Sequence, residues 1–411
     1  MAKKKDESKV MPRLRFPEFS GTEGWEARQL SNSIDLLSGL HLSPDEYGTD
    51  GEIPYFTGPS DFTNKMDGVT KWTTASANDA KAFDTLITVK GSGVGELWYL
   101  AIPSVALGRQ LMAIRTRDCD SRFIFQLLQT KRVRFEDLAS GNLIPGLTRS
   151  DILDFIAFFP SVEEQQKIAD CLSSLDELIV AQGRKVEALK AHKRGLMQEL
   201  FPREGESVPR LRFPEFWDGP EWKETRLDQL GRLISGLTYK PNDVREEGLL
   251  VLRSSNIHNA EITLEDRVYV APDIRGANLS ELNDILICVR NGSKTLIGKS
   301  AMIPEGMPLC THGAFMTVFR AHAPYFVFQL MQSTSFNKQV AADLGATINS
   351  INGSQLLKYR FFVPEPDEQN RIAECLSSLS ASIAAETQKL ESLKAFKKGL
   401  MQQLFPSPEG D

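Results

Sequence analysis

One stretch of eight residues occurs twice: PRLRFPEF stands at Pro12–Phe19 and again, unchanged, at Pro209–Phe216, 197 positions later. A chain that repeats itself at this distance is constrained to build one kind of unit twice. In the same register Trp25 matches Trp222, and LLSGL (Leu36–Leu40) matches LISGL (Leu233–Leu237). Further along, FIFQLLQ (Phe123–Gln129) matches FVFQLMQ (Phe326–Gln332), and EEQQKIADCLSSL (Glu163–Leu175) matches DEQNRIAECLSSL (Asp367–Leu379). Between Ser161–Pro202 and Glu365–Pro406, 24 of 42 positions are identical, whereas 41–80 and 238–280 show no match. Each half is therefore a shared frame around a divergent insert. A shared frame implies a shared task, and divergent inserts imply two different things recognised. Neutral drift of surface loops after duplication is the alternative.

The most similar parts of the two halves are helical in period. In the first copy Leu172, Ile179, Val186, Lys193 and Leu200 lie seven apart, interleaved with Ile168, Leu175, Gln182, Leu189 and Leu196. The second copy gives Leu376, Ile383, Leu390, Lys397 and Leu404 with Ile372, Leu379, Glu386, Leu393 and Leu400. This is the narrow apolar stripe of a coiled coil, and two matching stripes invite pairing. Polar residues fall at matching seam positions, Gln182 with Glu386 and Lys193 with Lys397. They either fix register at a cost in stability or snorkel from an opening seam. Only Arg203–Val208 separates the first helix from the second PRLRFPEF. Domain termini tend to lie close together, so the second helix should start near the end of the first, making the pair antiparallel. From Ile168 to Leu200 the rise is about 48 Å.

Residues 20–160 and 217–364 mix short β-like runs with glycine-rich turns. DTLITVKGSG (Asp84–Gly93) and DILICVRNGS (Asp284–Ser293) read as buried strands entering turns; LMAIR (Leu111–Arg115) and MTVFR (Met316–Arg320) read as further strands. FIFQLLQ and FVFQLMQ should begin helices. The expected class is α+β: two repeated α/β domains separated by two long helices that form an antiparallel coiled coil. The expected boundaries are 1–160, 161–207 (helix and linker), 208–364 and 365–411 (helix and tail).

The 411 residues carry 48 basic and 54 acidic side chains, a balance of −6, which counts mildly against nucleic acid as a partner. A local footprint can override net charge. Arg109–Arg134 holds seven Arg or Lys against two Asp, and Arg290–Lys299 holds three basic residues and no acid. Cys119, Cys171, Cys288, Cys310 and Cys375 are dispersed without a CxxC pair, which argues against a disulfide framework and fits a reducing cytosol. MAKKKDESKV lacks the apolar stretch of a secretory signal, and no run approaches the ~20 apolar residues that span a bilayer. The expectation is a cytoplasmic protein without membrane contact.

No catalytic centre is specified. GSGVG (Gly91–Gly95) resembles a cofactor loop, but its counterpart NGSKTLIG (Asn291–Gly298) keeps the turn and loses the glycine spacing, so a tight turn is the better reading. There is no GxxxxGK[ST], and no Asn-Pro-Pro or Asp-Pro-Pro followed by an aromatic. His41, His192, His258, His312 and His322 form no metal-spaced cluster, and Cys310 with His312 falls short of a zinc set.

Two variable regions, each followed by a glycine-containing stretch, a proline, an EQ-type helix start and a heptad helix, resemble the specificity subunits of type I restriction-modification systems. The motifs are GNLIPGLTRSDILDFIAFFPSVEEQQKI (Gly141–Ile168) and GATINSINGSQLLKYRFFVPEPDEQNRI (Gly345–Ile372), with RLRFPEF followed by Trp25 or Trp222. The resemblance covers nearly the whole chain. It departs where such chains often carry an Asn-Gln pair before the late strand: here Arg109–Gln110 and Gly313–Ala314 stand in that place.

The resemblance implies a target-recognition domain in each half, reading one part of a split double-stranded DNA site. It implies helices that set the spacing and dock two methylation subunits, with restriction subunits joining through the complex. S-adenosylmethionine, ATP and Mg would sit on those partners and no cofactor or metal on this chain, which would not itself be an enzyme. Candidate DNA readers are Lys90, Ser92, Arg109, Gln110 and Arg115 in the first half. In the second they are Tyr239, Lys240, Arg253, Asn256, Arg290 and Lys294. Arg and Lys suit guanine edges or phosphates, and Asn and Gln suit adenine; a solvated surface role is the alternative for each. The competing functions are a free-standing DNA-binding regulator, an enzyme whose site is not visible, and a coiled-coil scaffold.

Overall fold

Each heptad stretch forms one uninterrupted helix, Val162–Leu200 and Pro366–Leu404. The computed structural model describes residues 9–74, 78–141, 146–344 and 349–406. The centres of the two glycine-containing stretches, 142–145 and 345–348, lie outside them. At 39 residues each helix is about 58 Å long. Every residue of the two seams is buried or half-buried, while most other positions on both helices are exposed.

The chain divides into two units, one of Met1–Gly183 with Gln388–Asp411, the other Arg184–Thr387. Each unit therefore contains the start of one long helix and the end of the other. Within the second unit Lys185 bonds Glu386, and Lys193 Nζ donates to Ser380 Oγ at 2.7 Å. Rising numbers on one helix meet falling numbers on the other, so the pair is antiparallel. Within the first unit Lys397 Nζ reaches both carboxylate oxygens of Asp176, at 2.6 and 2.7 Å.

The duplicated motifs anchor each unit in one way. Arg15 of the first PRLRFPEF donates through Nε and Nη2 to Glu164 (2.8 and 2.6 Å), and Trp25 Nε1 donates to the same carboxylate at 3.3 Å. Arg212, Glu368 and Trp222 repeat this at 2.8, 2.8 and 3.2 Å. Glu164 and Glu368 are buried, and each holds its arginine above the usual guanidinium range, chiefly through the hydrogen bonds. Removing one member of such a buried pair costs about 3–5 kcal/mol, which explains why Arg, Trp and Glu recur together. The next residue, Gln165 or Gln369, donates to the carbonyl of Pro160 or Pro364 and fixes the helix start. The openers lie against the ends of the long helices: Leu14 N–H donates to Gln403 O, and Leu211 N–H to Glu199 O.

Each globular part carries a four-stranded antiparallel sheet. In the first unit its order is Ile34–Ser38, Leu111–Thr116, Thr85–Thr88, Leu97–Tyr99. In the second it is Gly231–Ser235, Met316–Ala321, Ile285–Cys288, Ser300–Met302. A second sheet holds a parallel pair in each unit, Ile53–Phe56 with Ser104–Leu107 and Leu249–Leu252 with Cys310–His312. The repeat thus extends into segments whose sequences do not match. FIFQLLQ lies in helix Ser121–Thr130, and FVFQLM lies in helix Pro324–Met331 with Gln332 as its C-cap. Gly39 and Gly236 recur because a Cβ at either would stand 2.2 Å from a carbonyl oxygen, of Gly108 or Gly313. Among the described residues no helix is long and apolar enough to cross a membrane.

Candidate nucleic-acid interface

In the first unit the strand Thr85–Thr88 leaves its sheet at Val89, whose N–H donates to Gln110 O and whose carbonyl accepts from Leu147 N–H, both at 2.8 Å. Gly91 adopts φ 92°, a left-handed conformation that only glycine takes easily, and turns the chain back. Lys90, Ser92 and Arg109 are exposed around this turn, and Gln110 is half-buried. The Gln110 carboxamide lies beside Gly58 and Gly91 and makes no hydrogen bond among the described residues. These four candidates therefore share one surface.

Arg115 does not join them. Its Nε and Nη2 donate to Asp84 at 3.0 and 2.7 Å, and Arg320 makes the same bonds to Asp284 at 2.8 Å each. Asp84 and Asp284 are buried. Arg115 is a frame residue, and a base contact by it would leave Asp84 as an uncompensated buried charge. The basic stretch Arg109–Arg134 is largely neutralised as well. Arg117 pairs with Asp35, Arg122 with Asp120 and Asp170, and Arg132 with Glu96 and Glu136. Sequence count alone overstates that face.

In the second unit Val289 and Arg290 N–H donate to Phe315 O at 3.0 and 3.1 Å, and Val289 O accepts from Ile351 N–H at 2.8 Å. This is the frame of the first turn. Leu111 N–H to Gly108 O and Met316 N–H to Gly313 O close equivalent tight turns. The counterpart of Arg109–Gln110 is therefore Ala314–Phe315, one residue later than the sequence comparison placed it. Phe315 is 57% exposed, and the Arg290 guanidinium stands 5.8 Å from its ring centre. Asn291 Nδ2 donates to Ser254 Oγ at 2.9 Å beside them. Lys294, exposed, begins a short turn, Lys294–Leu296.

The remaining candidates differ in freedom. Lys240 is exposed, and Tyr239 is half-buried against the cluster of Leu237, Leu249, Val251 and Val270. Arg253 pairs with Asp266 at 2.5 Å. Asn256 is fully buried: its Oδ1 accepts from Arg253 N–H at 2.8 Å, and its Nδ2 donates to the carbonyls of Thr263 and Asp266. Every polar atom of that side chain braces a turn, so Asn256 is structural. Phe315 was missed because an apolar residue before a strand reads as core. Cys310–His312 is a buried strand in which the His312 ring bonds Ile234 O, and burial pushes its pKa down. Among the described residues no group of three His, Cys, Asp or Glu side chains could hold a metal ion.

A model of the type I restriction modification DNA specificity domain matches residues 22–190 and again 220–395. The chain belongs to this family. The type I specificity subunit MjaVIII of Methanocaldococcus jannaschii is 24% identical, over 98% of this chain and 96% of its own length. The EcoKI specificity subunit of Escherichia coli K12 is 27% identical, over 45% of this chain and 41% of its own. The crystal structure of the S subunit from M. genitalium superposes with a TM-score of 0.65 at 18% identity, covering 97% of this chain and all of that one. A second structure, from work on assembly and conformational transition of a type I system, gives 0.55 at 17% identity over 93% and 96%. These structural likenesses establish the fold. As a type I specificity subunit the chain carries two DNA specificity domains, and the turns at 89–95 and 289–298 occupy matching places in them.

Proposed function

We propose that each domain reads one half of a split duplex DNA site and that the two long helices set the distance between the halves. In this reading the expected domains are readers at 1–160 and 208–364, with 161–207 and 365–411 as spacer and docking helices. Two methylation subunits dock on the chain and carry S-adenosylmethionine for adenine methylation. Restriction subunits join through the complex with ATP and Mg, and this chain contributes recognition without catalysis. The observation that carries the reading is one frame presenting different chemistry at one position: Arg109–Gln110 in the first unit, Ala314–Phe315 in the second. Residues that hold the frame recur, whereas those at the exposed turn differ, as two readers of unlike sequences require. Lys90, Ser92, Arg109 and Gln110, with Tyr239, Lys240, Arg290 and Lys294, remain the proposed contacts. The seams from Ile168 to Leu200 and from Ile372 to Leu404 are the proposed spacer.

Replacing 217–364 with the equivalent segment of a relative, in the assembled methylation complex, should change one half of the methylated sequence and leave the other intact. Sequencing of modified adenines reads the result. A change in both halves would remove the two-reader reading.

A further inference from the structure

Phe315 is a phenylalanine more than half exposed, at the tip of a turn whose backbone is fully organised. Its carbonyl accepts from Val289 and Arg290, so the ring is presented by a fixed loop. Across the ring lies the Arg290 guanidinium, which has no carboxylate partner among the described residues. At the matching position the first unit offers Gln110, with a carboxamide that makes no hydrogen bond among the described residues. At equivalent positions, then, the two related units present an unpaired amide and an exposed apolar ring.

Resting on the reading of both units as DNA readers, we propose that Phe315 recognises a thymine in its half-site through the C5-methyl group. The major groove offers one apolar group, the thymine methyl, and phenylalanine suits it, whereas the amide of glutamine suits the N6 and N7 edge of adenine. Arg290, held over the ring, keeps its in-plane N–H groups free for a neighbouring guanine or phosphate. The pair at Phe315 and Arg290 thereby addresses two adjacent positions, and Gln110 with Arg109 does so with different bases. Burying one methyl against the ring corresponds to about a four-fold change in affinity, from ~0.8 kcal/mol per buried carbon group.

The test uses the full chain assembled with its methylation subunits. The probe is a duplex oligonucleotide carrying the site that the complex methylates. Each thymine, on either strand, of the half-site that changes in the 217–364 exchange is replaced singly by deoxyuridine, which removes only the methyl. The intact complex should bind about four-fold more weakly at one such position. Phe315→Ala should bind the thymine duplex that much more weakly and no longer distinguish the two bases. Phe315→Gln should shift the preference at that pair toward adenine. Because the ring is exposed, the thermal midpoint of both variants should equal that of the parent, which separates lost contact from lost fold. The proposal is overturned if the parent ignores every uracil, if the half-site holds no thymine, or if Phe315→Ala keeps the discrimination. Weaker binding by Phe315→Ala with equal affinity of the parent for thymine and uracil would indicate a ring wedged between base steps and also overturns it. If the parent complex prefers its site no more than scrambled DNA, the two-reader function itself fails and this contact with it.

Discussion

Two lysines at corresponding seam positions meet different partners. Lys397 binds both oxygens of Asp176, which also accepts from Gln126 Nε2 at 2.8 Å. Lys193 meets the hydroxyl of Ser380, the residue that stands where Asp176 does in the other copy. With a neutral partner, burial pushes the Lys193 pKa down. In the range between its folded and unfolded values the unfolded chain binds the extra proton. Stability should therefore rise as pH climbs through the lowered folded value and level off near 10.5, the ordinary lysine value. Ser380→Asp supplies the missing charge, should stabilise the second unit by about 1 kcal/mol at neutral pH, and should flatten that rise. Urea unfolding at a series of pH values measures both; an unchanged midpoint and slope would show that the hydroxyl already suffices. The heptad pattern placed both lysines on the seam, but Asp176 and Ser380 lie off the two apolar rows. Only the antiparallel register identifies them as partners.

At the scale of elements, much of the fold was legible. The seams follow from periodicity, and the buried strands after Asp84 and Asp284 and the two short helices from their apolar runs. What stayed hidden was the repeated second sheet. IPYF and LLVL fill equivalent strands, and a buried strand needs apolar volume rather than particular residues, so the two diverge without loss. The second copy also inserts the pairing of Ile257–His258 with Glu261–Ile262, which disturbs any alignment. Gly39 and Gly236 survived because nothing else fits against the facing carbonyl. The exposed turn was located by its glycines, while the matching of its side chains had to await the hydrogen bonds that give Gln110 and Phe315 equivalent positions in the two units. Lengthening both long helices by one heptad keeps the seam in phase and adds about 10 Å. At about 3.4 Å per base pair the unread spacer of the methylated site should grow by about three pairs, read by mapping modified adenines. An unchanged spacer would deny the helices their measuring role.

For the molecule as a whole, neither unit is completed by its own half of the sequence. The first unit takes Gln388–Asp411 from the far end of the chain, and Leu14 bonds Gln403 there. Residues 184–207 are the repeat's own version of that segment, given the 24 identities in 42 positions. Residues 1–207 expressed alone should therefore form a homodimer in which each copy supplies the other's missing helix end. With the methylation subunits this dimer should modify an inverted repeat of the first half-site. Light scattering and sequencing of modified adenines test this; a monomer, or a site without twofold symmetry, would count against it. The same exchange of ends sets a timetable for synthesis. Domains ordinarily close in the order in which they leave the ribosome, yet here the segment 184–387 is contiguous and has all its parts once residue 387 is out. The first unit, though made earlier, waits for Gln403 to bond Leu14 and for Phe405 to cover Trp25 and Phe123. During translation the N-terminal half is thus the last to lose its exposed aromatic surface, and it is the half that chaperones would hold longest.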